Sequence, residues 1–200
     1  MQGDILLSTA YFPPAEYFHL IKTAGNVFIE QMENYPRQTY RNRCRILSSG
    51  GTLDLSVPVT KGGIRKVLTR DVTIDYTKKW QNVHLRALTS AYNRSPYFQF
   101  YFDFFEPVVR KNHKYLIDLN AELLDTCLSL LKIIKCINYT SYFIPDTGEE
   151  DDHRYKISPK IRSGFYCRPY IQVFGVNGFI PDLSVLDLIF NTGPGAGEYL

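Results

Sequence analysis

The stretch from Arg37 to Ile46 places the strongest constraint on the fold, because it holds four arginines and no acidic residue. As an extended strand, it would alternate its side chains between two faces. One face would carry Arg41, Arg43 and Arg45, and the other would carry Tyr40, Asn42, Cys44 and Ile46. Three guanidinium groups on one face repel each other unless carboxylates or an anionic ligand lie against them.

Two interpretations of the arginine face follow. In the first, it is a solvated face paired with acidic neighbours, and Glu30 and Glu33 are candidate partners for Arg41 or Arg43. In the second, it is a clamp for an anionic ligand, since guanidinium makes bidentate contacts with carboxylate and phosphate. The residues by themselves leave both interpretations open.

Strand patterns are concentrated before residue 75. Apolar residues alternate with polar ones after the turn at residues 48–51, which predicts a hairpin between this stretch and the arginine strand. Short apolar runs predict further strands. In chain order, the predicted strands cover residues 5–7, 27–29, the arginine stretch, 52–59, 67–74 and 170–174.

Helical patterns dominate the middle of the chain. Apolar residues at three- and four-residue spacing predict helices at 16–24, 78–93, from 95 through an aromatic run, 114–137 and 183–191. The aromatic run covers most of the circumference of the third helix, so we expect that helix to pack on two sides. Asp182 is the predicted N-cap of the last helix.

These patterns predict an α+β fold. Mainly antiparallel strands lie in the N-terminal third, followed by a helical middle, with a short strand and a helix at the C-terminus. The length of 200 residues favours one domain, 1–200, and the alternative is a helical subdomain over 78–144. The polar segment 145–159 and the Thr60–Gly63 segment are predicted loops.

Charge is unevenly distributed along the chain. Residues 37–70 hold eight basic residues against one acidic residue, Asp54, which leaves +7 there and −4 in the remainder. Such polarity attracts an anionic partner to one region. No recognised nucleic-acid motif accompanies the charge, so we expect no nucleic-acid partner.

The remaining composition excludes several classes of site. The four cysteines are dispersed and form no Cys-x-x-Cys pair, so we expect reduced thiols and no metal site. No pattern indicates a particular cofactor. The N-terminus lacks a secretory signal pattern, and no apolar run approaches about 18 residues, so we expect no membrane span and a cytoplasmic location.

His84 is the general-base candidate of the chain. It lies one helical turn after Trp80, at the edge of the apolar face predicted for residues 78–93. The alternative interpretation is a histidine that only packs in the core or at its rim.

An ordered set of motifs resembles the WbqC-like family of bacterial proteins. The motifs run nearly from end to end of the chain: Tyr11-Phe12-Pro13 with Tyr17, Tyr40-Arg41-Asn42-Arg43, Val57-Pro58-Val59, Trp80 with His84, Ala91-Tyr92 with Ser95-Pro96-Tyr97-Phe98, and Leu183-Ser184-Val185-Leu186-Asp187 with Phe190-Asn191. The Asn-Arg pair and the Leu-Ser-x-Leu-Asp segment are the most specific of them.

The resemblance implies a role in surface polysaccharide biosynthesis, such as that of O-antigen. It suggests transfer of glycine or a similar acyl group to an amino sugar on a phosphorylated carrier. His84 or Asp187 would be the base and Asn42 a donor to the oxyanion. The substrate-binding set would be Arg41, Arg43, Tyr11, Tyr40, Trp80 and Asn191.

Three hypotheses from different classes follow. The first is a transferase whose partner is a nucleotide-linked or lipid-linked sugar. The second is a non-catalytic module that binds an anionic small molecule or other polysaccharide-assembly proteins. The third is nucleic-acid binding through residues 37–70, and it has the least support.

Overall fold

The computed structural model describes residues 3–60, 67–145, 151–175 and 178–200. Within these ranges the helices are α1 (Ala15–Thr23), α2 (Trp80–Tyr92), α3 (Phe98–Arg110), α4 (Leu116–Leu130) and α5 (Val185–Thr192). The strands are β1 (Ile5–Ser8), β2 (Val27–Glu30), β3 (Arg43–Ser48), β4 (Gly51–Ser56) and β5 (Ile137–Tyr139). Two 3₁₀ segments cover Thr69–Asp71 and Gly193–Tyr199. The predicted mixture of helices and strands is confirmed.

The first sheet is parallel, and the prediction of mainly antiparallel strands is wrong for it. Its strand order is β1-β2-β5, and both pairs run in the same direction. Helix α1 carries the chain back between β1 and β2, which is the connection that a parallel pair requires. The apolar runs of β1 and β2 are buried, as is typical of parallel strands.

The hairpin predicted around residues 48–51 is confirmed. Strands β3 and β4 pair antiparallel, with Arg43 opposite Ser56 and Arg45 opposite Asp54. Cys44 and Ile46 are buried, as the alternation predicts. Arg41 lies in a turn before β3, so the extended strand is shorter than the sequence suggests.

Several predicted elements differ in the structure. Residues 67–74 form the 3₁₀ segment with isolated bridges, and the described residues within 170–174 form no strand. Helix α4 ends at Leu130, seven residues before the predicted end, because Lys132 adopts a positive φ of 57°. Strand β5 begins at Ile137, the last residue of the predicted helix. Ser184, and not Asp182, caps α5.

The core is one cluster of buried apolar residues drawn from both halves of the chain. Helix α3 buries Phe98 and Phe105 but leaves Phe100 and Phe104 exposed, so it packs on fewer sides than its sequence suggests. Lys61, Gly62 and Gly63 of the first predicted loop lie outside the described residues. So do residues 146–150 of the second predicted loop.

Gly193 lies at the C-terminus of α5 and provides a sharp test of the packing. Its φ is 58°, and a Cβ atom there would overlap the ring of Tyr97. Gly193→Ala is therefore expected to lower the free energy of unfolding by about 1–3 kcal/mol. Gly195→Ala is the matched control, because nothing lies within 4 Å of its added Cβ. Equal urea midpoints for the two variants would contradict this account.

Candidate functional site

The chain gathers polar side chains at the carboxyl ends of the three parallel strands. The segments that follow β1, β2 and β5 carry Tyr11, Glu33 and Thr140. All three side chains form hydrogen bonds across elements. The crevice beyond the carboxyl ends of a parallel sheet is where such folds bind ligands. We therefore take this edge as the candidate site.

Arg41 lies at this edge and is paired with a carboxylate. Its Nε donates to Glu33 Oε1 at 2.7 Å and its Nη2 to Glu33 Oε2 at 2.9 Å, with both residues buried. The hydroxyl of Tyr155 donates to Glu33 Oε2 at 3.0 Å. For Arg41, the interpretation as an arginine paired with an acidic neighbour describes the structure.

Arg154 forms a second buried charge cluster beside the first. Its guanidinium donates to Asp152, to Glu30 Oε2 at 3.2 Å and to the Ile144 carbonyl at 2.6 Å. Glu30 also accepts from the Thr140 hydroxyl at 2.7 Å. Burial by itself would raise the pKa of Asp152, but hydrogen bonds from Arg154 outweigh it and lower that pKa.

The sequence did not identify Arg154, because it lies in a polar segment whose composition is typical of a solvated loop. Residues 151–153 instead run beside β1, where Leu6 donates to Asp151 O at 3.0 Å and His153 donates to Leu6 O at 2.9 Å. The only local indication is the Asp-x-Arg spacing of Asp152 and Arg154.

Arg43 differs from its two arginine neighbours. Arg45 pairs with Asp54 at 2.8 Å, and Arg41 pairs with Glu33. Among the described residues, Arg43 makes no ion pair, and its buried Nε has no hydrogen-bond partner. Burial raises the pKa of Tyr35 to about 12, and the charges of Arg41, Arg43 and Arg37 oppose that rise. The field here is positive.

Asn42 presents an acceptor where the sequence suggests a donor. Its Nδ2 donates to the Val57 carbonyl at 2.8 Å, and Val57 N donates to Asn42 O at 2.7 Å. Its buried Oδ1 has no partner in the described part of the chain. The free atom of Asn42 can therefore receive a hydrogen bond from an amine or a hydroxyl.

Tyr11, Trp80 and His84 are brought together in the core next to this strand end. The Tyr11 hydroxyl lies 2.9 Å from His84 Nδ1, and the rings of Trp80 and His84 are 5.0 Å apart. Burial lowers the pKa of His84 to about 4, although a hydrogen bond to the Ser56 backbone opposes it. The imidazole is thus neutral near pH 7. In the tautomer that donates to the Ser56 backbone through the other ring nitrogen, Nδ1 accepts from the Tyr11 hydroxyl.

Trp80 holds another buried donor, since its Nε1 has no partner within the described ranges. Trp80 contacts His84, which hydrogen-bonds to Ser56, and Ser56 lies opposite Arg43 in the hairpin. Trp80 is thus linked to Arg43 through two intervening residues, and Asn42 is adjacent to Arg43 in the chain. Buried polar atoms without partners are few in native proteins and call for an explanation.

Asp187 and Asn191 lie in a different place, on α5. Asp187 Oδ2 accepts from Tyr170 and from Gln172, each at 2.8 Å, and burial raises the pKa of this carboxyl despite those bonds. Asn191 Nδ2 donates to the Asp187 carbonyl at 2.7 Å. The hydroxyl of Tyr92, at the end of α2, also lowers the pKa of Asp187.

His84 and Asp187, the two alternative candidates for the base, share no hydrogen bond or ion pair among the described residues. Asp187 interacts with Tyr92, and His84 precedes Tyr92 by two turns of α2, a rise of about 12 Å. Tyr40 is buried, and its carbonyl accepts from Tyr11 N at 2.9 Å. Burial raises the pKa of Tyr40 to about 12. The charge of Arg45 lowers the pKa of its hydroxyl, and that of Asp182 raises it.

Comparisons with known proteins identify a family match over most of the chain. A sequence model of the WbqC-like protein family matches residues 9–171. The uncharacterized protein Rv1507c of Mycobacterium tuberculosis is 30% identical over 229 aligned positions, which cover 100% of this chain and 98% of the relative. No solved structure matches the chain.

Of the helices in the described ranges, none combines the length and the apolar character that crossing a bilayer requires.

Proposed function

Since this chain belongs to the WbqC-like family, we propose that it acts in surface polysaccharide biosynthesis as a transferase. The proposed reaction transfers a glycyl or similar acyl group to an amino sugar on a phosphorylated carrier. The acceptor nitrogen attacks the carbonyl carbon of an activated acyl donor and forms a C–N bond. The bond to the donor's leaving group breaks, and the amine proton passes to a base.

One observation carries this proposal: Asn42, Arg43 and Trp80 have buried polar atoms without partners in the described residues, and the types of these atoms match such a substrate. Arg43 Nε and Trp80 Nε1 are donors and suit the oxygens of a phosphate. Asn42 Oδ1 is an acceptor and suits an amine or hydroxyl of the sugar. In this proposal Arg43 is the cationic anchor for the phosphate, and Arg41 positions the turn through Glu33.

The proposed base is His84, because its imidazole is neutral at pH 7 and its Nδ1 already accepts from Tyr11. An incoming amine would replace the Tyr11 hydroxyl at Nδ1. Asp187 then has a structural role in the region around α5, where Tyr170 and Gln172 hold its carboxylate.

A second candidate function is a non-catalytic module that binds the same anionic ligand. The burial of Tyr11 and His84, 0% and 3% exposed, favours it, because substrate must reach Nδ1 for catalysis. His84→Gln separates the two functions. If the protein is a transferase, the wild type forms product and the variant binds the ligand without forming product. If it is a binding module, neither wild type nor variant forms product.

Ligand-induced stabilisation tests the anchor. A ligand at about 100 times its Kd adds about 2.7 kcal/mol, or about 5–11 °C in Tm for a domain of this size. We expect such a shift with one of four probes: nucleotide sugars, coenzyme A thioesters, amino acids or phosphate. Arg43→Ala should remove it.

Arg45→Ala is the matched control, because Arg45 lies two residues away in the same strand but is paired with Asp54. The ligand should therefore raise the Tm of Arg45→Ala as much as that of wild type. An equal shift in Tm for wild type and Arg43→Ala would show that Arg43 does not bind the ligand. The absence of any shift in wild type would overturn the proposal.

A further inference from the structure

Exposed aromatic side chains lie along one side of the candidate site. Tyr142 and Phe143 follow β5 and are 69% and 46% exposed, and Tyr155 follows the segment beside β1 and is 44% exposed. All three residues are therefore near the carboxyl edge of the parallel sheet. Nothing in the charge networks requires rings with so much exposed apolar surface.

Two of these rings are held in place by the buried arginines. The Arg41 guanidinium carbon lies 5.6 Å from the Tyr155 ring centroid, and that of Arg154 lies 5.8 Å from it. Arg154 also lies 5.5 Å from the Phe143 ring. The Tyr155 hydroxyl is bonded to Glu33. Because both guanidiniums are paired with carboxylates, the rings are fixed before any ligand arrives, which lowers the entropic cost of binding.

This aromatic surface continues into the anion-binding region. Arg41 contacts the Tyr155 ring, and Arg43 is two residues further along the chain. Two successive Cα–Cα steps place these residues no more than about 7.6 Å apart at their Cα atoms. A ligand that places an anionic group on Arg43 therefore has the rings within reach of its adjoining part.

We propose that Tyr155 and Phe143 stack against the nucleobase of a nucleotide-linked sugar whose phosphates contact Arg43. The assignment rests on the proposed function and narrows its substrate class. Aromatic side chains bind bases by stacking because every base has a π-face, and a ring fixed by a buried cation is a rigid platform for it. The base would lie toward residues 143 and 155, and the sugar toward Asn42.

Isothermal calorimetry with a set of defined probes tests this assignment. The probes are the diphosphates of uridine, cytidine, guanosine and adenosine, inorganic diphosphate, and glucosamine 1-phosphate. We expect wild type to bind at least one nucleoside diphosphate more tightly than inorganic diphosphate. Tyr155→Ala should weaken that binding about 5-fold to 150-fold and leave inorganic diphosphate unchanged.

Two further variants separate stacking from structural effects. Tyr155→Phe keeps the ring but loses the hydrogen bond to Glu33, so it should bind the nucleotide like wild type. Ile171→Ala is the surface control, since Ile171 is 91% exposed and has no place in the argument. Phe143→Ala should weaken nucleotide binding in the same direction as Tyr155→Ala.

The outcomes separate the two proposals. If Arg43→Ala abolishes diphosphate binding while Tyr155→Ala leaves nucleotide binding unchanged, base stacking is wrong and the anion site stands. If glucosamine 1-phosphate depends on Tyr155 as strongly as the nucleotide does, the rings hold the sugar and the assignment is overturned. If wild type binds no phosphate-containing probe, both proposals fail.

Discussion

Arg41→Met is expected to lower the free energy of unfolding by about 3–5 kcal/mol, because it leaves the buried carboxylate of Glu33 without its cation. For a chain of this size the loss corresponds to a fall in Tm of about 6–20 °C. Urea unfolding followed by circular dichroism measures it. The hydroxyls of Tyr155 and Thr69 would still donate to Glu33, at 3.0 and 3.5 Å, but two neutral hydroxyls do not replace a bidentate guanidinium.

Arg45→Met is the matched control for this prediction. Arg45 also binds a carboxylate through two nitrogens, yet it and Asp54 are 29% and 37% exposed. We expect Arg45→Met to lower the free energy of unfolding by less than about 1 kcal/mol. A loss of stability in Arg41→Met no larger than in Arg45→Met would show that the Arg41–Glu33 pair does not support the fold as argued.

Acidification is expected to remove about 3 kcal/mol of stability through His84. Its pKa falls from the ordinary 6.5 to about 4 on folding, because burial disfavours the charged imidazole. The contribution is complete above pH 6.5, where both states are neutral. It is lost between pH 6.5 and 4, because the unfolded chain binds a proton there and the folded chain does not.

The measurement compares wild type with His84→Gln at several pH values between 7 and 4. Glutamine does not titrate, so the stability difference between the two proteins should change by about 3 kcal/mol across this range. Val83→Ala, at an exposed position on the same helix, should differ from wild type by a constant amount. A constant difference for His84→Gln as well would contradict a buried neutral imidazole.

The acidic partners of the arginines show how far local patterns reach. The sequence identifies Glu33 as a candidate partner because it lies eight positions before Arg41. It gives no comparable indication for Glu30 and Arg154, which are 124 positions apart. Their pairing depends on residues 151–153 lying beside β1, and such a long-range contact leaves no periodicity in either segment.

The donors and acceptors of the site show a second limit. The motif residues Tyr11, Asn42, Arg43, Trp80 and His84 can be selected from the sequence. Which atom of Asn42 is free cannot be selected, because the register of the hairpin decides that its Nδ2 meets the Val57 carbonyl. Likewise, Tyr155 and Phe143 acquire their positions from the buried arginines that they contact.

The sequence by itself determined the elements that depend on local periodicity. Alternation predicted the β3–β4 hairpin, and three- and four-residue spacing predicted α1 and α2 to within two residues at either end. Tertiary structure alone decided the parallel direction of β1, β2 and β5, since an apolar run has the same pattern in either direction. It also decided that Arg41 is paired with Glu33 while Arg43 makes no ion pair among the described residues, because only folding decides which guanidinium a carboxylate from another segment reaches.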